Sequence, residues 1–227
     1  MDGNGYTPNA EVLEQLKEVH FVGVVGPTAS GKSTLIKGAL GRDSSLHIVR
    51  DHTSRPPREG EQDRSDYFFH PRPEMESRMS RGEYVQVAPS VFGDLYATGP
   101  EDYSSEGIAI MPILADAVST FRELPFKKFD CIFVVPPDWD TWLRRISHHQ
   151  FTLDKLELRM LEAERSYAFA LADQQIKMLV DLDVQTGVDD LLTLIFDKPM
   201  STRLATDQQR GREIAAELLM RMKHTAS

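Results

Sequence analysis

Residues 20–40 read HFVGVVGPTASGKSTLIKGAL, and this stretch decides the fold class of the chain. Its first part, HFVGVVG (20–26), is a short apolar run that ends in glycine, which predicts a buried strand. Its last part, GKSTLIKGAL (31–40), predicts the helix that follows. The join between them, GPTASGKS (26–33), matches G-x-x-x-x-G-K-[ST], a pattern in which backbone N–H groups and a helix N-terminus hold phosphate.

In this strand–loop–helix context the pattern predicts a P-loop that binds a nucleoside triphosphate. Lys32 is expected to reach the β- and γ-phosphates, and the Ser33 hydroxyl is the predicted ligand of Mg²⁺. A chance glycine-rich turn is disfavoured because the complete pattern stands in the right context. We therefore predict ATP and Mg²⁺ as cofactors. The predicted ATP-binding residues lie in the loop and the first turn of the helix: Gly26, Thr28, Ala29, Ser30, Gly31, Lys32, Ser33 and Thr34.

Apolar, strand-like segments recur further along the chain, with helical patterns between them. They are LHIVRDHTS (46–54), GIAIMPIL (107–114), CIFVVPP (131–137) and KMLVDLD (177–183). This alternation predicts an α/β fold of the P-loop NTPase type, in which helices flank a parallel sheet. Segment 51–98 interrupts the alternation with short strands and loops, and therefore predicts an insertion. Its last part, VFGDLYAT (91–98), predicts a turn that enters a loop.

The composition limits the classes of function. The chain has 227 residues, 41% of them hydrophobic, which suits one globular domain with inserted subdomains. It has no apolar run of roughly 20 residues, its first residues do not predict a secretory signal, and its single cysteine, Cys131, fits a reducing compartment. The net charge of −9 argues against a nucleic-acid-coating surface, although a few arginines can still make a local anion site. We therefore predict a cytoplasmic protein that binds neither nucleic acid nor membrane.

A second anion site is predicted by TSRPPREGEQDRSDYFF (53–69). Arg55 and Arg58 carry fork-shaped guanidinium groups that suit bidentate phosphate contacts. Glu61 can orient an arginine, and the Tyr67 hydroxyl can donate to the same phosphate. Alone, this segment reads as a solvated charged loop. Its position after a P-loop helix favours a cradle for a phosphoryl acceptor, because phosphoryl transfer needs two anions held in line.

These motifs resemble the guanylate kinase family. TSRPPREGEQDRSDYFF is similar to that family's T-[ST]-R-x-x-R-x-G-E…DY-x-F signature, and GEYVQVAPSVFGDLYAT (82–98) resembles its acceptor loop. CIFVVPP resembles the strand before the family's lid, and LELRMLEAERSYAFA (156–170) the helix after it. The resemblance covers roughly residues 20–197 and implies the reaction ATP + GMP → ADP + GDP.

The resemblance also implies a division of the chain. The kinase-like domain spans 20–200, preceded by an N-terminal arm (1–19) and followed by a helical tail (201–227). Within the domain we expect a core, a monophosphate-binding insertion and a lid. The core comprises 20–50, 99–137 and 166–200, the insertion 51–98 and the lid 138–165.

Residue roles follow from the resemblance position by position. Arg55, Arg58, Tyr67 and Tyr96 are expected to hold the acceptor phosphate, with Glu61 supporting the arginines. Thr98 stands near the expected position of the base. Arg145 and Arg159 match lid arginines that close on the transferring phosphoryl group, and Arg144 is the alternative to Arg145. An arginine-rich helix face is the alternative reading of all three. Asp181 and Asp183 end the last strand, where either a place near the adenine or turn capping is expected.

Several positions depart from the family pattern. The base-reading glutamate is replaced by Gln86, a base-reading serine by Asp51, and one lid arginine falls near His149. GIAIMPILAD has no carboxylate before Asp116, which leaves Ser33 and waters as the predicted Mg²⁺ ligands. Guanine presents two donors that suit a carboxylate, whereas an amide can accept only one of them. We hypothesise a swap, in which Asp51 supplies the charged acceptor and Gln86 contacts O6; simple divergence is the alternative.

The sequence therefore predicts ATP-dependent phosphorylation of a nucleoside monophosphate, with GMP or dGMP favoured. One alternative is a kinase of the same fold for another acceptor, such as a different nucleoside monophosphate or a ribose bisphosphate. Another is a non-catalytic guanylate kinase-like binding module, although such modules usually lose the P-loop. A tRNA-prenylating enzyme shares GPTASGK but not the arginine segment. The sequence leaves open whether the chain is a monomer or a homodimer.

Overall fold

The computed structural model describes residues 5–89 and 93–225. Its helices are α1 (Ala10–Leu16), α2 (Lys32–Leu40), α3 (Arg72–Ser80), α4 (Val118–Glu123), α5 (Trp139–Ser147), α6 (Leu153–Ala172), α7 (Val184–Ile195) and α8 (Thr202–Thr225). Its strands are β1 (His20–Val25), β2 (Leu46–Ile48), β3 (His52–Thr53), β4 (Phe68–Phe69), β5 (Gln86–Pro89), β6 (Leu95–Thr98), β7 (Ile108–Pro112), β8 (Lys128–Val135) and β9 (Lys177–Val180). Short 3₁₀ helices occupy Pro100–Asp102 and Ala115–Ala117.

Two sheets organise these elements. A parallel five-stranded sheet has the strand order β2-β7-β1-β8-β9 and is flanked by helices. Its strands are mainly apolar because both faces are covered, and Val22, Val24 and Val25 of β1 have no exposed surface. The prediction of an α/β fold with a parallel sheet is confirmed. A second sheet has the order β4-β3-β6-β5.

The backbone divides into two compact units. The first comprises the described residues up to Phe21, Ser45–Met111 and Ser119–Phe129. The second comprises Val22–Ser44, Pro112–Val118 and the described residues from Asp130 onward.

The first unit holds the four-stranded sheet around a small apolar cluster. The members of this cluster are Tyr6, Met75, Tyr84, Val87, Leu95 and Ala97. The Tyr6 hydroxyl donates to the Tyr84 carbonyl at 2.6 Å and accepts from the Tyr84 N–H at 2.8 Å. The polar tip of this buried ring is therefore satisfied by the backbone just before β5.

In the second unit, α8 packs on α6 and β9. The Gln208 side-chain amide accepts from the Met178 N–H at 2.9 Å and donates to the Met178 carbonyl at 2.7 Å. Since β9 ends the strand order, this amide satisfies backbone groups that an edge strand leaves unpaired. The segment beyond residue 200 is therefore bonded into the second unit.

Two expectations about local structure are wrong. LHIVRDHTS is not one strand, because β2 belongs to the five-stranded sheet and β3 to the four-stranded one. The polar pair Arg50–Asp51 separates them, and Arg50 Nε donates to the Ser65 carbonyl at 3.0 Å instead of entering a buried sheet. VFGDLYAT is not only a turn: its last four residues form β6, in which buried Leu95 and Ala97 alternate with half-buried Tyr96. Its residues 91 and 92 lie outside the described ranges.

Over residues 5–89 and 93–225, no helix has both the length and the apolarity that crossing a membrane requires.

Candidate active site

The glycine-rich loop follows β1 directly and ends where α2 begins. Gly26 has φ +147° and Gly31, the residue before α2, has φ +107°, which is backbone that favours glycine. A Cβ on Gly26 would lie 2.5 Å from the Val134 carbonyl oxygen, and one on Gly31 would overlap the Asp181 carboxylate. The loop conformation therefore depends on glycine at both ends. Ala29 also has a positive φ, of 64°.

Lys32 folds back over this loop. Its Nζ donates to the carbonyls of Gly26 at 2.5 Å and Pro27 at 2.8 Å. Burial lowers the pKa of Lys32 to about 8; Glu162 opposes this shift and Arg159 adds to it. The next two residues, Ser33 and Thr34, are exposed in the first turn of α2.

Arg145 contacts the loop directly, and Arg159 is connected to it through Glu162. Arg145 donates to the Asp181 carboxylate at 2.7 Å and to the Ser30 carbonyl at 3.4 Å. Arg159 pairs with Glu162 at 2.5 Å, and both Glu162 oxygens lie 3.4 Å from the Thr28 hydroxyl.

Arg144 points elsewhere. It is exposed and donates to the Thr141 hydroxyl of its own helix at 2.9 Å. The neighbouring buried Trp142 donates from Nε1 to the Thr28 carbonyl at 3.0 Å and so ties α5 to the loop. Of the two alternative lid arginines, only Arg145 is bonded to the loop in the described residues. His149 is exposed, with its ring stacked on Phe151 at 5.2 Å.

Two buried oxygens beside the loop have no hydrogen-bond partner within the described residues: Ser30 Oγ and Asp181 Oδ1. Burial raises the pKa of Asp181, and the charge of Arg145 opposes this rise. Asp183 instead caps α7, where its carboxylate accepts from the Thr186 N–H at 2.9 Å. The alternative of turn capping therefore describes Asp183, whereas Asp181 holds an arginine.

Sequence reasoning missed Glu162 as a neighbour of the loop. Its available signal was the i, i+3 spacing to Arg159 on α6, a spacing that places two side chains on one helix face.

The arginine loop is built around Arg55, which is only 6% exposed. Its two terminal nitrogens bond both oxygens of Glu61, at 2.6 and 2.7 Å. Its Nε donates to the Tyr96 hydroxyl at 3.0 Å, and its guanidinium lies over the Tyr67 and Phe69 rings at 4.7 and 5.5 Å. Arg55, which is predicted to hold the acceptor phosphate, is thus fixed by a bidentate ion pair with Glu61 and by contact with two aromatic rings.

Glu61 also fixes the backbone of this loop. One of its oxygens accepts from the Arg58 N–H at 2.8 Å, whereas the Arg58 side chain is exposed. The hydrogen bond from Arg55 and then that from the Arg58 N–H lower the pKa of Glu61 to about 2, and the same ion pair raises the pKa of Arg55. The pair therefore stays ionised at neutral pH.

Two of the residues expected near a base, Gln86 and Thr98, lie on the four-stranded sheet, and Asp51 directly precedes its strand β3. Gln86 and Thr98 face each other in register on β5 and β6. Thr98 is buried, and its hydroxyl accepts from the Tyr103 hydroxyl at 3.0 Å. Burial, with the charge of Asp102, raises the pKa of Asp51 to about 7. Asp51 is therefore a carboxyl group that exchanges its proton near neutral pH.

The fold and these two clusters define a class: an α/β protein with a glycine-rich loop between a strand and a helix, and with an arginine-centred cluster on a small second sheet. The family model described as Guanylate kinase matches residues 19–198, and the chain belongs to this family.

Individual relatives agree with the family assignment. The chain is 26% identical to the guanylate kinase of Nitrosomonas europaea over 200 residues, which cover 86% of this chain and 96% of that protein. It is 29% identical to the guanylate kinase of Thiobacillus denitrificans over 198 residues, with coverage of 85% and 90%. The crystal structure of guanylate kinase from Anaplasma phagocytophilum has a similar fold, with a TM-score of 0.58, 22% identity, and coverage of 81% of this chain and 87% of that one.

Proposed function

We propose that this chain transfers the γ-phosphoryl group of ATP to GMP or dGMP, releasing ADP and GDP or dGDP. The observation that carries the proposal is the complete glycine-rich loop with Lys32, Arg145 and Arg159 around it, in a chain of the guanylate kinase family. A non-catalytic binding module does not need these three cations, because it has no transferring phosphoryl group whose charge they would neutralise. Neither a different phosphorylated acceptor nor a non-catalytic module is favoured.

On the donor side, the residues supply a cradle for a triphosphate. Backbone N–H groups of the loop and the N-terminus of α2 would bind phosphate oxygens. Lys32 would exchange its two carbonyl partners for phosphate, and with a pKa of about 8 it is mainly charged at neutral pH. Arg145 and Arg159 would neutralise charge on the transferring group.

The residues also fit Mg²⁺, which takes few protein ligands and completes its shell with water and substrate phosphates. The Ser33 hydroxyl is exposed at the end of the loop, and the described residues contain no His, Cys, Asp or Glu cluster that would form a separate metal site. Ser33 would be the protein ligand. When bound, Mg²⁺ supplies charge neutralisation to the phosphate oxygens.

On the acceptor side, Arg55, Arg58, Tyr67 and Tyr96 would hold the monophosphate. Glu61 holds the Arg55 guanidinium in one orientation, so little side-chain entropy remains to be lost when the monophosphate binds. Near the base, the Asp51 carboxylate would accept from N1–H and the 2-amino group of guanine, and the Gln86 amide would donate to O6. This assignment uses the ionised form of Asp51.

We also propose the division into core, insertion 51–98 and lid 138–165, and a cytoplasmic location. Closure of the lid would exclude water from the reacting phosphoryl group. Hydrogen exchange across 138–165, with and without a non-hydrolysable ATP analogue, tests the lid. Unchanged protection of this segment would contradict it.

A coupled assay of ADP release tests the main proposal, with GMP, dGMP, AMP, CMP and UMP as acceptors. We expect GMP and dGMP to be the preferred acceptors. Arg55→Ala should raise the acceptor KM, because it removes the buried fork. Turnover of none of the five acceptors would end the proposal. Equal rates with purines and pyrimidines would reject the preference for guanine together with the assignment of Asp51 and Gln86, and would leave only the phosphoryl transfer.

A further inference from the structure

Four ionisable side chains of the first unit form a hydrogen-bonded line: Asp102, His52, His70 and Glu74. Asp102 Oδ2 lies 2.9 Å from His52 Nε2. His52 Nδ1 lies 3.0 Å from His70 Nε2, and His70 Nδ1 lies 3.1 Å from Glu74 Oε1. The two imidazole planes are 5° apart, with their centroids 5.0 Å apart. His52 is buried, at 2% exposure.

The protons in this line can be counted. Each of the three contacts joins two atoms that both carry lone pairs, so each contact needs one proton between them. Two neutral imidazoles bring two protons, and two carboxylates bring none. Three contacts therefore hold one proton more than neutral rings supply. Without that proton, one contact would join two acceptors. Both carboxylates take charge-assisted donors in preference, which leaves His52 Nδ1 and His70 Nε2 facing each other at 3.0 Å.

We propose that His52 and His70 are positioning residues of the acceptor site, joined by one shared proton that holds β4 against β3. This inference rests on the proposed function for its kinetic consequence, but not for its structural one. Neither histidine is required to touch the substrate.

The two strands need such a link because each is only two residues long. Their backbone contacts are the Phe68 N–H to the Asp51 carbonyl and the His70 N–H to the Thr53 carbonyl, both 3.0 Å. The side-chain bond between the histidines spans the same two strands.

The linked strands frame the acceptor cluster. β3 leads through Ser54 into Arg55, and β4 contains Phe69 and follows Tyr67, whose rings lie under the Arg55 guanidinium. Separation of β4 from β3 would move these rings away from the arginine. We expect weaker acceptor binding and little change in the chemical step.

Several titratable and charged groups face the histidine pair from the neighbouring elements: Asp51, Glu74, Arg78, Tyr84, Glu101 and Asp102. The link contains one more proton than two neutral imidazoles carry, so it is complete while that proton is bound and loses one contact when a base removes it.

The test compares His70→Gln with His70→Leu. A glutamine amide can donate to both His52 Nδ1 and Glu74 without any extra proton, so His70→Gln should keep the link at every pH. His70→Leu cannot form it. Acceptor KM and kcat are measured for GMP from pH 6 to 9. His224→Gln, a change on α8 where His224 bonds the Met220 carbonyl, is the control.

At pH 6, we expect His70→Leu to raise the GMP KM about three- to tenfold, the size of one lost hydrogen bond of ordinary strength, with kcat within about twofold of wild type. The wild-type KM, divided by that of His70→Gln, should rise about threefold or more towards pH 9. This ratio cancels the ionisation of GMP and of Asp51, because both are common to the two proteins. A ratio that stays constant would overturn the proposal, as would a His70→Leu protein with the wild-type KM.

A second readout needs no turnover. Backbone amide exchange of Phe68 and His70, measured by NMR without nucleotide, should be faster in His70→Leu than in His70→Gln. The wild type should move from the slow to the fast value as pH rises, relative to His70→Gln at the same pH. If no nucleotide is phosphorylated by any variant, the proposed function fails, and the exchange comparison alone decides this inference.

Discussion

The glycine-rich loop and the arginine loop are both assigned to phosphate, yet they are built by opposite means. In the glycine-rich loop the backbone makes the site: Gly26 and Gly31 have positive φ, and side chains on either would meet neighbouring atoms. In the arginine loop the side chains make the site, because Arg55 is held by Glu61, Tyr96 and the Tyr67 ring.

This difference explains why the sequence predicts the glycine-rich loop more specifically than the arginine loop. A backbone cradle restricts residue type at fixed spacing, since only glycine fits. A side-chain cradle can exchange partners as long as charges and hydrogen bonds balance, which is how Gln86 and Asp51 can stand where another pair is expected. Mutations should therefore affect the two loops differently, in kcat on one side and in acceptor KM on the other.

The largest effect is expected from Lys32→Ala. It removes the ammonium that folds over the loop, and we expect kcat to fall about 10³-fold, in line with losses of a single preorganised electrostatic group. Steady-state ADP release with saturating ATP and GMP measures it. Lys37→Ala is the matched control, because Lys37 is exposed on the same helix. A Lys32→Ala enzyme within tenfold of wild type would contradict the comparison.

The pH profile of the same loop follows from its pKa. Burial lowers the pKa of Lys32 to about 8, so the free enzyme loses this charge as pH rises through that value. We expect kcat/KM for ATP to fall above about pH 8. A profile flat to pH 10 would show that the charged form is held by something other than the groups described here.

Arg145→Ala should have the next largest effect, a loss of about 10²-fold in kcat. Arg145 is bonded to Asp181 and the Ser30 carbonyl, whereas its neighbour Arg144 bonds within its own helix. Arg144→Ala is therefore the control and should stay within about twofold of wild type. Equal losses in the two variants would mean that the helix face, and not one arginine, carries the effect.

Glu61→Gln moves the comparison to the arginine loop. The amide keeps the shape of the carboxylate but breaks the bidentate ion pair with Arg55. We expect the GMP KM to rise about tenfold or somewhat more, with a smaller change in kcat and none in the KM for ATP. Glu59→Gln changes an exposed glutamate of the same loop and serves as the control. A rise in the ATP KM instead would place Glu61 in a different role.

Much of the fold was accessible from sequence, because its signals are local. The glycine-rich loop, its strand and its helix follow from residues 20–40, which carry both the apolar run and the glycines that the geometry requires. The division of LHIVRDHTS between two sheets was not accessible, since an apolar run does not specify its partner strand. β6 was missed because the turn residues Gly93 and Asp94 obscured the alternation of Leu95 and Ala97.

The site shows the same limit. The identities of Arg55, Glu61 and Lys32 are visible in motifs, but their partners are not. Glu162 meets Thr28 across a separation of 134 residues, and the line from Asp102 through the two histidines joins three distant segments. Such contacts depend on packing that no single window of sequence encodes.

The smallest effect is expected from Asp51→Asn. This variant tests the proposed contact between Asp51 and the guanine base. Burial and Asp102 raise the pKa of Asp51 to about 7, so the wild-type carboxylate forms as pH rises through neutrality. If the carboxylate accepts the two guanine donors, the wild-type GMP KM should fall over this range. The variant should lack that fall and have a KM about three- to tenfold higher at pH 8.

Asp51→Asn should weaken GMP binding but raise the stability of the fold at pH 8. A folded-state pKa above the ordinary carboxyl value means that folding disfavours the charge, so the wild type loses stability between about pH 4 and 7. Asp51→Asn removes this cost, and its melting temperature should exceed that of wild type at pH 8 but not at pH 4. Asp116→Asn, at a carboxylate with 74% of its side chain exposed, should shift neither quantity. An Asp51→Asn protein that melts lower than wild type at pH 8 would mean that the carboxylate is bound as an anion within the fold, and would remove the reason to assign it to guanine.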